Sequence, residues 1–166
     1  MNVYIIDDHA LFRNGLISLL ESRKINAQSA ATAKEGLIQI EKFCFDIILL
    51  DLRMPEMSGI EVLRLIKSKN IKSPVVMLTT STEEYDLRNC LKHGAQGYLL
   101  KDMDPDELVD AIGEIVKGSI VVAKEMTHIL AKVLKNELTD NEASFESLTN
   151  REQEVACKVA SGCSNK

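Results

Sequence analysis

Three aspartates, two threonines and a lysine stand directly behind short apolar runs. Asp7 and Asp8 follow Val3–Ile6, Asp51 follows Ile47–Leu50, Thr79 and Thr80 follow PVVML, and Lys101 follows GYLL. An apolar run of this length that stops at charge or at a Pro/Gly loop reads as a strand buried on both faces. In parallel sheets, ligands gather just beyond the carboxyl ends of such strands. Asp51 holds that position in the stretch FDIILLDLRMPEMSG, where the chain then turns through Met54-Pro55 and restarts a helix at Ser58. Singly, each residue has a plain alternative: Asp8 as a helix cap, Thr79 as a β-branched strand residue, Lys101 as a solvated end. Jointly they bring three carboxylates, a hydroxyl and an ammonium to one rim. Crowded carboxylates repel unless a cation sits among them. Only oxygen donors are on offer, which suits a hard ion such as Mg²⁺. With an ammonium and a hydroxyl aimed at the same spot, the set is equipped to stabilise a phosphoryl group, and a carboxylate can be the nucleophile.

The elements that must position these residues alternate. After the first strand, Phe12, Leu16, Leu19 and Leu20 fall at helical spacing. Ile25–Ser29 is a more polar strand, suited to a sheet edge. Thr32 with Glu35, Ser58 with Glu61, and Ser81 with Glu84 have capping-box spacing ahead of amphipathic helices. Gly94 reads as a helix stop, and Asp104-Pro105 opens the last helix of the repeat, which Gly118 ends. Five strand–helix repeats predict an α/β fold, a five-stranded doubly wound parallel sheet of flavodoxin-like order 2-1-3-4-5 filling residues 1–118. Residues 119–147 read as a linker carrying one amphipathic helix (Met126, Ile129, Leu130, Val133, Leu134). Thr149-Asn-Arg-Glu152 is a fourth capping box, opening a helix with Val155, Ala156, Val159 and Ala160.

Composition narrows the class. With 166 residues, 45% hydrophobic and 27% charged, the chain is sized for one ordinary domain and an appendage. A net charge of −5 argues against broad attraction to nucleic acid or anionic membrane. No apolar run approaches membrane-spanning length, and MNVYIIDD leaves no room for a signal peptide, so a cytoplasmic protein is expected. Cys44, Cys90, Cys157 and Cys163 match no metal or redox spacing and read as free thiols. His9, His93 and His128 are scattered without a metal-ligand partner at useful spacing, and His9 reads as the start of the first helix.

Asp7-Asp8, Asp51 followed by MPEMSG, Thr79 and GYLLKD together resemble the receiver domain of two-component response regulators. Asp102, where many receivers have Pro, is similar to the LLKD variants of the NarL/FixJ subfamily. The resemblance implies a phosphoprotein in which Asp51 accepts phosphate from a histidine kinase, rather than an enzyme beyond self-phosphotransfer and autodephosphorylation. It implies Mg²⁺ held by Asp8, Asp51 and the backbone carbonyl of Arg53, with Asp7 assisting. Thr79, with Thr80 as the alternative hydroxyl, and Lys101 would bind phosphoryl oxygens, and Thr79 and Tyr98 would form the switch. SLTNREQEVACKVASGCSNK resembles the opening of a LuxR-type helix-turn-helix, so residues 148–166 are expected to begin a DNA-binding domain that the chain leaves incomplete. Residues 136–166 hold six acidic and three basic side chains, so no DNA-binding residue is expected within the chain. Homodimer formation is left open. Two rival readings stand beside the transcriptional one. A Mg²⁺-dependent phosphohydrolase would need an acid–base Asp where Arg53 stands, whereas a stand-alone receiver would act by protein contact alone.

Overall fold

The computed structural model describes residues 1–133 and 135. Strands β1 (Asn2–Ile6), β2 (Asn26–Ala30), β3 (Ile47–Asp51), β4 (Val75–Thr79) and β5 (Gly97–Leu100) alternate with five helices. These are α1 (Ala10–Ser22), α2 (Ala33–Lys42), α3 (Gly59–Ser68), α4 (Glu84–Lys92) and α5 (Pro105–Val116). All pairings are parallel, in the order β2-β1-β3-β4-β5-β6. The expected 2-1-3-4-5 order is therefore present, extended by a two-residue strand, β6 (Val121–Val122). β6 carries too short a pattern to stand out in the letters. It lies past Gly118, within a compact unit that runs from Met1 to Thr127 and includes a 3-10 turn at Lys124–Met126.

The alternation of strand side chains divides the core. Val3, Ile5, Ile47, Leu49, Val76, Leu78 and Leu99 pack with Leu16 and Leu20 of α1 and with Leu108, Ile112 and Ile115 of α5. The intervening residues point to the other face, where α2 comes so close that a Cβ on Gly36 would sit 2.6 Å from Ile6. β3 and β4 are buried at every position, as covered central strands require. β2 alternates between exposed and part-buried residues and lies at an edge, as its polarity predicts.

Local signals act where the side chains can close them. Thr32 accepts from the Glu35 amide, Ser58 and Glu61 form a full capping box, and Asp104 accepts from the Asp106 and Glu107 amides. Gly94, at φ 85°, ends α4 in the left-handed region that favours glycine. The expected box between Ser81 and Glu84 does not form. α4 begins at Glu84 with Glu83 as its cap, and the Ser81 hydroxyl accepts from the Glu83 amide at 3.3 Å while donating to Asp86 at 2.6 Å.

Residues 128–166 fall in a second unit, of which the described part continues a helix at 127–133. The rest of the linker, the fourth capping box, the helix-turn-helix opening at 148–166, and Cys157 and Cys163 lie outside the described residues. Cys44 and Cys90 are free thiols. No helix among the described residues is long and apolar enough to cross a membrane.

Candidate phosphoacceptor and cation site

Sheet register carries the strand ends to one place. Ile6 pairs with Leu50, so Asp7 and Asp51 leave neighbouring strands at the same level. The chain runs from β1 outward to β2 and then crosses to β3 on the other side. The carboxylates therefore sit at the switch point where doubly wound sheets bind ligands. Asp7, Asp8, His9 and Asp51 each contribute one donor atom to a group whose atoms lie within 4.8 Å of one another. Lys101 Nζ is 2.8 Å from Asp7 Oδ2 and 2.9 Å from Asp51 Oδ2, with its ammonium 4.9 Å from the centre of the Phe12 ring.

The cluster is built rather than incidental. Asp7 Oδ1 accepts from the His9 amide at 2.8 Å, and Arg13 donates to the Asp7 carbonyl at 2.6 Å, which fixes the turn between β1 and α1. Asp51 Oδ1 accepts from the Arg53 amide at 3.3 Å. Beyond it, the Gly59 amide donates to the Leu52 carbonyl at 2.9 Å, and a Cβ on Gly59 would lie 2.2 Å from the Asp51 carbonyl oxygen. Only glycine lets the start of α3 come that close to the end of β3.

Asp7 and Asp51 are 1% and 3% exposed, and burial pushes the Asp51 carboxyl above its ordinary value of 3.8. Lys101 and the Arg53 amide oppose that rise without cancelling it, and Asp7 adds to it. Asp8 Oδ1 is buried without a hydrogen bond, and the Lys101 ammonium alone meets Asp7 Oδ2 and Asp51 Oδ2, at 2.8 and 2.9 Å. Buried acceptors left without donors are costly. Three carboxylates with donor atoms within 4.8 Å of one another and a single ammonium between them fit a hard divalent cation, which bonds to oxygen and offsets their repulsion.

The remaining expected residues lie close by, with different surroundings. Thr79 is fully buried, and its Oγ1 accepts from the Ser81 amide at 3.0 Å. Thr80 is exposed and lines a cleft of about 420 Å³ together with His9, Asp51, Arg53 and Lys101. Tyr98 is buried in β5, and its hydroxyl donates to the Ser81 carbonyl at 3.0 Å, with burial raising its pKa well above the usual phenol value.

Two participants were not legible in the sequence as site residues. His9 caps α1 as expected but offers no side-chain capping bond. Its Nδ1 lies 3.4, 3.2 and 3.5 Å from Asp7, Asp8 and Asp51, so the expectation that it lacks ligand partners is corrected. The signal was its place directly after the Asp-Asp pair, because Asp51 arrives from a distant part of the chain. Asp86, 4% exposed in α4, accepts from Arg53 Nη2 and Ser81 Oγ, each at 2.6 Å, joining the loops behind β3 and β4. A larger hollow of about 690 Å³ lies around Phe43, Lys69 and Pro74, beside the opposite ends of β3 and β4 and remote from the carboxylates.

Comparisons with known proteins agree with the geometry. The response regulator receiver domain family matches residues 3–113. The nitrate/nitrite response regulator protein NarL of Escherichia coli K12 is 35% identical over 167 residues, covering 99% of this chain and 77% of that protein. The transcriptional regulatory protein LnrK of Bacillus subtilis is 36% identical, covering all of this chain and 80% of that one. A LuxR-family two-component response regulator from Aurantimonas sp. SI85-9A1 superposes with a TM-score of 0.74 at 28% identity, over 79% of this chain and 95% of the other. With the family matched over most of its length, the chain belongs to the two-component response regulators, as a receiver domain of the kind found in NarL-type regulators of transcription.

Proposed function

We propose that Asp51 is the phosphoacceptor of this receiver and that its phosphorylation by a histidine kinase switches a DNA-binding regulator of transcription. The observation that carries this is Lys101 reaching Asp7 Oδ2 and Asp51 Oδ2 beside the buried Asp8 Oδ1, which lacks a hydrogen bond.

Asp8, Asp51 and the backbone carbonyl of Arg53 would hold Mg²⁺, with Asp7 assisting, and the ion would neutralise charge on the transferring phosphoryl group. An Asp51 carboxylate oxygen attacks the phosphorus of a phosphohistidine. The new P–O bond forms as the P–N bond breaks, and the departing imidazole takes a proton from solvent. Lys101 holds one phosphoryl oxygen by charge, and the Thr79 hydroxyl donates to another. Thr79 is favoured over Thr80 because it ends β4 one step from the Ser81 amide and Tyr98 contact, so a pull on it is felt by both. Tyr98, seated under the Ser81 carbonyl, then stabilises the inward position of that loop. This is a two-state element whose balance a phosphoryl group shifts only by binding one state better. Hydrolysis of the acyl phosphate by water resets it, so the chain acts on itself and turns over no separate substrate. Residues 148–166 are assigned to the opening of a LuxR-type helix-turn-helix, through whose remainder DNA would be met. The setting for this chemistry is the cytoplasm.

Acetyl phosphate with Mg²⁺ should label the wild type and leave Asp51→Asn unlabelled, read as phosphoprotein by intact mass. Equal labelling of Asp51→Asn would remove the assignment. Beryllofluoride should protect wild type but not Lys101→Ala from thermal unfolding.

A further inference from the structure

The acidic cluster contains a donor of a different kind. His9 Nδ1 lies 3.2 Å from Asp8 Oδ1, a buried oxygen that no hydrogen bond satisfies, and 3.5 Å from Asp51 Oδ2, which Lys101 meets from another side at 2.9 Å. Neighbouring ligand atoms on an octahedral ion bound at about 2.1 Å are about 3 Å apart. On a tetrahedral ion with the same bond length the separation is about 3.4 Å. His9 Nδ1 therefore stands at coordination-shell spacing from each of the two carboxylate oxygens.

The imidazole reaches this place by construction. The His9 amide is tied to Asp7 Oδ1, its carbonyl accepts the Arg13 amide at 3.0 Å, and its backbone is extended at φ −78°, ψ 96° as α1 begins. Its ring makes no cap bond that would compete for the nitrogen. Carboxylate oxygens suit Mg²⁺ and Mn²⁺ alike, and an added imidazole nitrogen favours first-row transition ions, the series that begins with Mn²⁺, over Mg²⁺.

We infer that His9 Nδ1 is a ligand of the divalent site and makes it a mixed oxygen–nitrogen site that prefers a first-row transition ion such as Mn²⁺ over Mg²⁺. This rests on the reading of Asp8 and Asp51 as cation ligands. It concerns which ion the chain selects, not whether one is needed. His9 is a specificity-determining residue for the cation.

The test is Mn²⁺ binding to the full 166-residue chain in mildly alkaline buffer, followed by electron paramagnetic resonance with Mg²⁺ as competitor. Wild type carrying ¹⁵N-histidine should show nitrogen coupled to bound Mn²⁺, and His9→Phe and His9→Gln should lose that coupling. Both variants should lower the Mn²⁺-over-Mg²⁺ ratio by about tenfold, the low end of what loss of even an outer-shell partner costs a metal site. The wild-type spectrum is informative even if a variant folds poorly. An unchanged ratio in both variants, or no nitrogen coupling in wild type, overturns the inference. Loss of Mn²⁺ binding in Asp8→Asn and Asp51→Asn would at the same time keep the carboxylate site standing. Undiminished Mn²⁺ binding in both aspartate variants would instead remove the carboxylate site and His9 with it.

Discussion

Replacing Asp51 by Asn tests whether the carboxylates repel in the absence of a cation. The donor atoms of Asp7, Asp8 and Asp51 lie within 4.8 Å of one another, which at an effective dielectric constant of about 20 costs at least about 3.5 kcal/mol per pair. Asp51 therefore faces about 7 kcal/mol of repulsion from two like charges. Lys101 at 2.9 Å returns about 6 kcal/mol on the same scale. Repulsion and the attraction of Lys101 thus nearly cancel on this scale, and burial, the main cause of the raised pKa of this carboxyl, tips the balance against its ionised form. Asp51→Asn should then raise stability by about 1–2 kcal/mol in chelator-treated buffer, a shift of about 3–7 °C in Tm for a domain of this size. The sign with pH follows from the raised folded-state pKa. Below the ordinary 3.8 the group is protonated whether folded or not, and the destabilisation grows as pH rises through the folded value. The gap between variant and wild type should therefore close on acidification. A divalent cation at about 100 times its Kd should reverse the order by stabilising wild type about 2.7 kcal/mol. Thermal melts with and without Mg²⁺ across a pH series measure all three. An Asp51→Asn chain that melts below wild type without divalents would refute the repulsion.

Gly59→Ala drives a methyl to 2.2 Å from the Asp51 carbonyl, so a loss of about 2 kcal/mol or more in urea unfolding and weaker Mg²⁺ binding are expected together. Arg53→Ala leaves the Asp86 carboxylate buried with Ser81 alone, and a loss of about 1–3 kcal/mol should appear, smaller in the Arg53→Ala, Asp86→Leu pair than the sum of the singles. Tyr98→Phe removes the bond to the Ser81 carbonyl at a cost of about 1 kcal/mol by denaturant titration. In alkaline absorbance titration, Tyr4, pushed up to about 12, and Tyr98, pushed further, should release their protons only at or beyond that point or on unfolding.

The strands, their polarity and the rim that collects their ends were legible because each depends on a local pattern. Four buried residues ending in Asp51, and the polar alternation that sends β2 to an edge, are properties of contiguous letters. So were the caps at Ser58 and Asp104, which close within one turn. β6 was not legible, because two residues have no periodicity and pair only where β5 offers an edge. Ser81 carried the right letters for a cap, but its hydroxyl accepts from the Glu83 amide and donates to Asp86, whose other partner Arg53 lies on another loop. His9 shows the same limit in the site itself. Its sequence neighbours supply two of the carboxylates, and the third, Asp51, arrives through sheet register. Local chemistry thus named the donors, while the pairing of β1 with β3 decided which of them share one point in space, because register is set by the packing of whole strands.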